Sequence, residues 1–140
     1  MPRIAAVDFG FKRIGLAISD GSGRIALPLK MIAAGKSIKD SARLVLSALA
    51  PYEKELDMII VGMPLLLSGK RGEMAEFAER FADALRIESR HKVETMDERL
   101  SSAQAEKALK EMDYSRKERT GIIDSTSATL ILQSYLNRTV

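Results

Sequence analysis

Residues 4–17 decide the fold, and they read IAAVDFGFKRIGLA. Their first four residues form an apolar run that is typical of a strand buried on both faces. A second apolar run follows a basic, glycine-containing turn, and this pattern predicts a β-hairpin. Asp8 therefore ends a buried strand beside backbone amides of the turn and the cations of Lys12 and Arg13. The alternative for Asp8 is an ordinary turn aspartate, because Asp is common in turns.

Outward from the hairpin, the hydrophobic pattern predicts an α/β fold. Short glycine-bearing turns join the first three strand candidates into an antiparallel meander. The five predicted strands lie at residues 3–8, 14–20, 24–32, 58–61 and 92–96, and the fourth is a fully apolar run typical of a buried strand. The predicted helices show helical spacing of apolar residues; they begin at 37, about 71, 101 and 122, and the first ends at Pro51. The order βββαβαβα predicts a five-stranded mixed sheet with helices on both faces.

Three acidic residues lie where separate elements begin or end. Asp8 ends the first strand, Glu98 follows the fifth, and Asp124 lies in the first turn of the last helix. Carboxylates that are brought close together repel one another unless a cation lies among them, and hard oxygen ligands suit Mg²⁺ or Mn²⁺. The three acids therefore predict a divalent metal site at the carboxyl ends of the strands.

The last helix supports a buried position for Asp124. Ala128, Ile131 and Tyr135 follow it by four, seven and eleven residues, so the carboxylate shares the stripe that should pack on the sheet. The alternative is an aspartate that stabilises the helix N-terminus through the helix dipole.

Length and composition limit the function classes. A chain of 140 residues is expected to form one domain over residues 1–140, and its 46% hydrophobic and 29% charged residues are typical of globular proteins. There is no cysteine, no signal-peptide pattern and no apolar run long enough to cross a bilayer, so we expect a cytoplasmic protein without a membrane partner. The absence of cysteine excludes a Cys–His nucleophile, and the single histidine, His91, lies in a polar segment where we expect a surface residue without a catalytic role. The net charge of +3 suits an anionic partner.

Four motifs in order make the chain resemble the YqgF (RuvX) family. They are DFGFKRIGLA at 8–17, VGMPL at 61–65 with Gly69, DERLS at 97–101, and DSTSA at 124–128 with ILQSYL at 131–136. The resemblance implies an RNase H-like fold and similarity to Holliday junction resolvases. It also implies a nuclease that processes the small-subunit ribosomal RNA precursor.

The same resemblance implies roles for individual residues. Asp8, Glu98 and Asp124 would be the catalytic acids and metal ligands, and Lys12 and Arg99 would lie near the phosphates. Leu66, Ser68 and Phe11 depart from residues that are common in the family. Strand alternation puts Asp97 and Glu98 on opposite faces, and the resemblance favours Glu98 as the ligand.

The basic segment before the last helix is a second candidate contact for nucleic acid. Arg116, Lys117 and Arg119 could hold phosphates, and the alternative is a solvated loop.

We therefore expect a nuclease that acts on structured RNA or branched DNA, as a monomer or homodimer. Two Mg²⁺ or Mn²⁺ ions roughly 4 Å apart would lie among its three acids. Three alternatives stay open: a Holliday junction resolvase, a catalytically weak nucleic-acid-binding module of the same fold, and an actin-like ATPase. The last shares the early Asp-x-Gly and hairpin, but it uses two such domains, for which 140 residues are too few.

Overall fold

A computed structural model describes residues 2–64, 72–97 and 126–138, which form a mixed β-sheet and three α-helices. The strands are β1 (Arg3–Asp8), β2 (Arg13–Ser19), β3 (Ala26–Pro28), β4 (Ile32–Ala33), β5 (Leu56–Met63) and β6 (Lys92–Asp97). The helices of these segments are α1 (Ile38–Leu49), α2 (Glu73–Glu88) and α3 (Thr126–Arg138). The sheet order is β3-β2-β1-β5-β6, and β4 pairs with β2.

The first strands form the predicted antiparallel meander. β1 and β2 pair with Asp8 opposite Gly15, and β3 pairs with β2 with Pro28 opposite Ala17. The third predicted strand, 24–32, is in fact two short strands, because β4 pairs separately with the start of β2. Leu29 still donates to the Leu16 carbonyl at 2.8 Å, and the chain then leaves β2 before β4 pairs with it. The sheet therefore has six strands among the described residues, where the sequence predicted five.

Capping residues determine where α1 begins and ends. The Ser37 hydroxyl accepts a hydrogen bond from the Asp40 N–H at 3.1 Å, which satisfies one of the free amides of the first turn. Pro51 lies in the single 3₁₀ turn that follows the helix. Both ends agree with the prediction. α2 begins at Glu73 instead of about residue 71.

The helices cover both faces of the sheet, as predicted. α1 and α2 pack on one face, against a core cluster whose sheet residues include Ala5, Val7, Leu16, Ile59, Val61 and Val93. α3 packs on the other face, against a cluster whose sheet residues include Ala6, Ala17, Met58, Ile60 and Met96. Because alternate residues of the central strands join different clusters, both faces of β1 are buried, and this explains its continuous apolar sequence.

Some predicted elements lie outside the described residues. They are the helix from residue 101 and the start of the last helix at 122–125, whereas α3 accounts for the rest of that helix. In the three described segments, no helix has the length and apolar character needed to cross a membrane. The assignment of residues 1–140 to one domain stays a prediction.

Candidate functional site

The candidate site lies at the edge of the sheet where three parallel strands end. β1 lies between its antiparallel neighbour β2 and its parallel neighbour β5, and β6 continues the parallel half. Ligands of open α/β sheets bind at the carboxyl ends of the strands, where the strand order reverses. In this sheet those ends are Asp8, Met63 and Asp97.

Asp8 is half-buried at the end of β1, as the sequence predicts. Successive side chains of a strand point to opposite faces of the sheet. Val7 belongs to the cluster of α1 and α2, and Ala6 belongs to the cluster of α3. Alternation therefore assigns Asp8 to the face that α3 covers. A half-buried carboxylate at this position keeps access to solvent and to a ligand at the edge.

Asp97 ends β6, opposite Met63 of β5. Val93 joins the cluster of α1 and α2 whereas Met96 joins that of α3, so alternation assigns Asp97 to the face opposite Asp8. However, Asp97 also borders a cavity of about 190 Å³ between β6 and α3, together with Met96 and Tyr135. Alternation is least strict at the end of a strand. The two observations therefore place the Asp97 side chain on different faces of the sheet, and substitution of Asp97 is the test that distinguishes them.

Lys12 and Arg13 are exposed in the hairpin turn that follows Asp8. The backbone holds both in place, because the Lys12 carbonyl accepts the Ala34 N–H at 2.9 Å and Arg13 pairs with Ala33 of β4. Within the described segments, neither side chain forms an ion pair, and both are exposed. Gly10 is required by the tightness of the turn, since a Cβ there would collide with the Arg13 carbonyl oxygen.

α3 is oriented so that its first turn lies toward the site. The Gln133 side chain accepts the Ala26 N–H at 2.9 Å and donates to the Arg24 carbonyl at 3.0 Å, at the start of β3. Ala26 pairs with Ser19, whose hydroxyl accepts the Ile4 N–H at the amino end of β1. The second half of α3 therefore lies at the amino end of β1.

The first half of α3 also packs on the sheet. Ala128 is fully buried in the cluster that contains Ala6 and Ala17. The predicted stripe is also confirmed, because Ala128 and Ile131 are buried and Tyr135 packs against the same cluster. Helix α3 thus runs from the carboxyl toward the amino end of β1.

Most of the other predicted site residues lie outside the described residues. These are Glu98, Arg99, Arg116, Lys117, Arg119 and Asp124. Within residues 2–64, 72–97 and 126–138, no group of three or more His, Cys, Asp or Glu could hold a metal ion. The carboxylate of Asp8 is a hard oxygen donor at the correct edge of the sheet, so its chemistry fits a divalent cation. The set of three acids stays a prediction.

The sequence did not predict an aromatic cluster beside the site. Phe9 stacks on Phe81 with ring centroids 4.7 Å apart, and Phe11 meets Phe77 edge-on at 4.7 Å. The available signals were two phenylalanines in the hairpin and two on the apolar stripe of α2. Their contact depends on how α2 packs on the sheet, which the pattern alone does not specify.

Comparisons with known proteins give consistent matches over the whole chain. A family model described as RuvX, Holliday junction resolvase, matches residues 2–138. A Protochlamydia amoebophila protein, named as a candidate pre-16S rRNA nuclease, is 39% identical over 139 residues, covering 96% of this chain and 93% of that protein. A protein of the same name from Halothermothrix orenii is 42% identical over 135 residues, covering 96% and 94%.

A solved structure supports the fold. T. thermophilus RuvC in complex with a Holliday junction substrate matches with a TM-score of 0.56 at 15% sequence identity, covering 99% of this chain and 96% of that chain. At this identity the match shows the fold alone. The sheet with helices on both faces is therefore RNase H-like, as the resemblance implied.

Proposed function

The chain belongs to the RuvX family of Holliday junction resolvase-type nucleases, and on that premise we propose that it hydrolyses phosphodiester bonds in the small-subunit ribosomal RNA precursor. The observation that carries the proposal is the half-buried Asp8 at the carboxyl end of β1, followed by two exposed cations. A carboxylate beside cations suits a phosphodiester substrate, because the carboxylate can bind a metal ion and the cations can balance the charge of the phosphates.

Asp8, Glu98 and Asp124 are the proposed catalytic acids and metal ligands. The alternation of β6 supports Glu98 over Asp97, because residue 98 has the parity of Met96, which joins the α3 cluster on the face assigned to Asp8. Asp124 is supported by the direction of α3, whose first turn lies toward the carboxyl end of β1, and by its helical spacing from Ala128.

A nuclease of this fold depends on a divalent metal ion, and the proposed ions are Mg²⁺ or Mn²⁺ held by the three carboxylates. When bound, such ions activate water for attack and stabilise the leaving oxygen. The carboxylates would orient and retain the ions, and the half-buried Asp8 keeps the access to solvent that an ion needs to reach it. Lys12, Arg13 and Arg99 are proposed to position the phosphates that flank the scissile bond, as point charges rather than sequence readers.

Cleavage of defined substrates tests the function. With Mg²⁺ or Mn²⁺, we expect the full chain to cut a small-subunit ribosomal RNA precursor at discrete positions, and a chelator should abolish the cutting because the metal supplies most of the chemistry. The measurement is product formation on a denaturing gel, with a four-way DNA junction assayed in parallel. Preferential cutting of the junction would assign the chain as a resolvase. Binding without any cutting would leave a nucleic-acid-binding module.

The segment before α3 is proposed to bind flanking phosphates. Replacing Arg116, Lys117 and Arg119 by Ala should weaken nucleic-acid binding evenly across sequences, because phosphate contacts carry no base information. Each lost contact should reduce the slope of log affinity against log salt by roughly 0.7 to 0.9, the smaller value applying to single strands. The measurement is affinity at several salt concentrations.

A matched control separates local contacts from net charge. Lys54, Arg90 and Lys92 are exposed residues near the amino ends of β5 and β6, opposite the candidate site. Replacing them by Ala removes the same three charges, so this variant should keep the wild-type slope. Equal slopes for both triple variants would contradict the proposed phosphate contacts and favour the alternative, a solvated loop.

A further inference from the structure

Phe11 is an aromatic ring that packs edge-on against two other rings but is half exposed. Its ring lies 4.7 Å from that of Phe77 and 5.8 Å from that of Phe9, at interplanar angles of 80° and 74°. Phe9 in turn stacks on Phe81, which is fully buried. The series of rings thus runs from the core to the surface, and Phe11 at its end keeps 54% of its surface exposed.

The position of Phe11 distinguishes it from other exposed apolar residues. It follows Asp8 by three residues, which span at most about 10 Å and correspond to about three stacked nucleotides. Lys12 and Arg13 follow immediately, and the Arg80 guanidinium lies 5.6 Å from the centre of the Phe77 ring. An exposed ring followed in the chain by two exposed cations matches a nucleotide, whose flat base is bordered by phosphates.

We propose that Phe11 is a stacking platform for one unpaired nucleobase close to the scissile phosphate. This inference rests on the proposed function, and it adds a contact that favours single-stranded segments over paired ones. Stacking tolerates every base, because each has a π-face. Phe11 is therefore a positioning residue that favours unpaired nucleotides without selecting a base.

The two faces of the sheet define the path of the strand. Alternation assigns Asp8 to the α3 face, whereas Phe11 contacts Phe77 of α2 on the other face. The nucleic-acid strand therefore crosses the carboxyl edge of the sheet between them. Glu76 and Glu79 border a surface depression on α2 beside Arg80, so phosphates should follow Lys12 and Arg13 rather than α2.

A purely structural role for Phe11 makes a different prediction. A ring that only covers Phe9 and Phe77 would contribute to stability, and its removal would weaken binding of every ligand alike. A stacking ring must be coupled to one base of the ligand. The two roles are separated by removing the ring and the base singly and together.

The test is a double-mutant cycle between the protein and a single-stranded oligoribonucleotide of about 16 nucleotides. The full chain carries Asp8→Asn so that the ligand stays intact, and affinity is measured with Phe11 present or replaced by Ala. A series of ligands has one abasic position moved along the strand. We expect Phe11→Ala to weaken binding about five-fold or more, and one abasic position to weaken wild-type Phe11 binding equally. The two losses should not add.

Further variants keep the test decisive. Phe11→Trp should bind at least as tightly as Phe11, and Phe11→Leu, which keeps apolar bulk without a π-face, should be weaker. Ile87→Ala removes a residue that is 82% exposed near the end of α2, and it should leave all affinities unchanged. Thermal unfolding checks that each variant is folded. If Phe11→Ala is not folded, the comparison of Phe11→Trp with Phe11→Leu decides the result.

Additive losses at every abasic position, or equal affinities for Trp and Leu, would overturn the stacking role. Neither result depends on cleavage. Conversely, a chain that cuts no substrate but shows the coupling would contradict the proposed nuclease and retain the base contact.

Discussion

Asp8→Asn should abolish metal-dependent cleavage while the protein stays folded and still binds nucleic acid. Asn keeps the shape of Asp but removes the charge that, on the proposed assignment, retains the metal, whose contribution to the transition state is several kcal/mol. At about 1.4 kcal/mol for each factor of ten, the expected loss is on the order of 10³-fold in the rate of cleavage. The measurement is single-turnover cleavage at saturating protein, which separates chemistry from binding.

Stability should move in the opposite direction from activity. In the proposed site, removing one of three neighbouring carboxylates would relieve repulsion in the metal-free protein, so the variant should unfold at the same temperature as wild type or slightly higher. Adding Mn²⁺ should raise the unfolding temperature of wild type more than that of the variant, since ligand binding to the folded state stabilises it.

Asp57→Asn is a matched control for this prediction. Asp57 is an exposed residue near the amino end of the neighbouring parallel strand β5, at the edge opposite Asp8. The isosteric change there should leave cleavage and the response to Mn²⁺ unaltered. Cleavage retained in Asp8→Asn would remove Asp8 from the catalytic set.

The parts of the fold that the sequence predicts are those with local signals. The apolar run before Asp8 and the tight turn after it specify β1 and β2. Ser37 specifies the start of α1, because its hydroxyl accepts a hydrogen bond from a residue only three positions further along the chain. The third strand shows the limit of such signals. Its apolar residues indicate one strand, but the chain leaves β2 after Leu29 and rejoins it at a separate position.

The residues of the candidate site also differ in whether a local sequence signal predicts their position. Asp8 could be placed from sequence because a charged residue at the end of a buried strand is a local feature. The contact of Phe11 with Phe77 could not, because it joins the hairpin to α2, and only the packing of α2 on the sheet brings the rings together. The requirement for glycine at position 10 also depends on the folded turn, because the turn brings the Arg13 carbonyl oxygen to where a Cβ would lie.

The two neighbouring acids at the end of β6 should respond differently to loss of charge. Glu98→Gln should reduce cleavage on the order of 10³-fold, the same scale as Asp8→Asn, because each removes one of the proposed charged metal ligands. Asp97→Asn should reduce cleavage less than about ten-fold, since alternation assigns Asp97 to the face of Val93 rather than to the face of Asp8. Both variants are isosteric, so the comparison tests charge and leaves side-chain volume unchanged.

Combining each change with Asp8→Asn tests whether Glu98 or Asp97 acts together with Asp8. Residues that act as one unit are strongly non-additive, so Glu98→Gln should add little to the loss already caused by Asp8→Asn. Asp97→Asn, acting from outside the metal site, should multiply its small loss onto that of Asp8→Asn. A large, non-additive loss for Asp97→Asn beside a small one for Glu98→Gln would reverse the assignment. Asp97 would then be the ligand, consistent with its place at the cavity between β6 and α3.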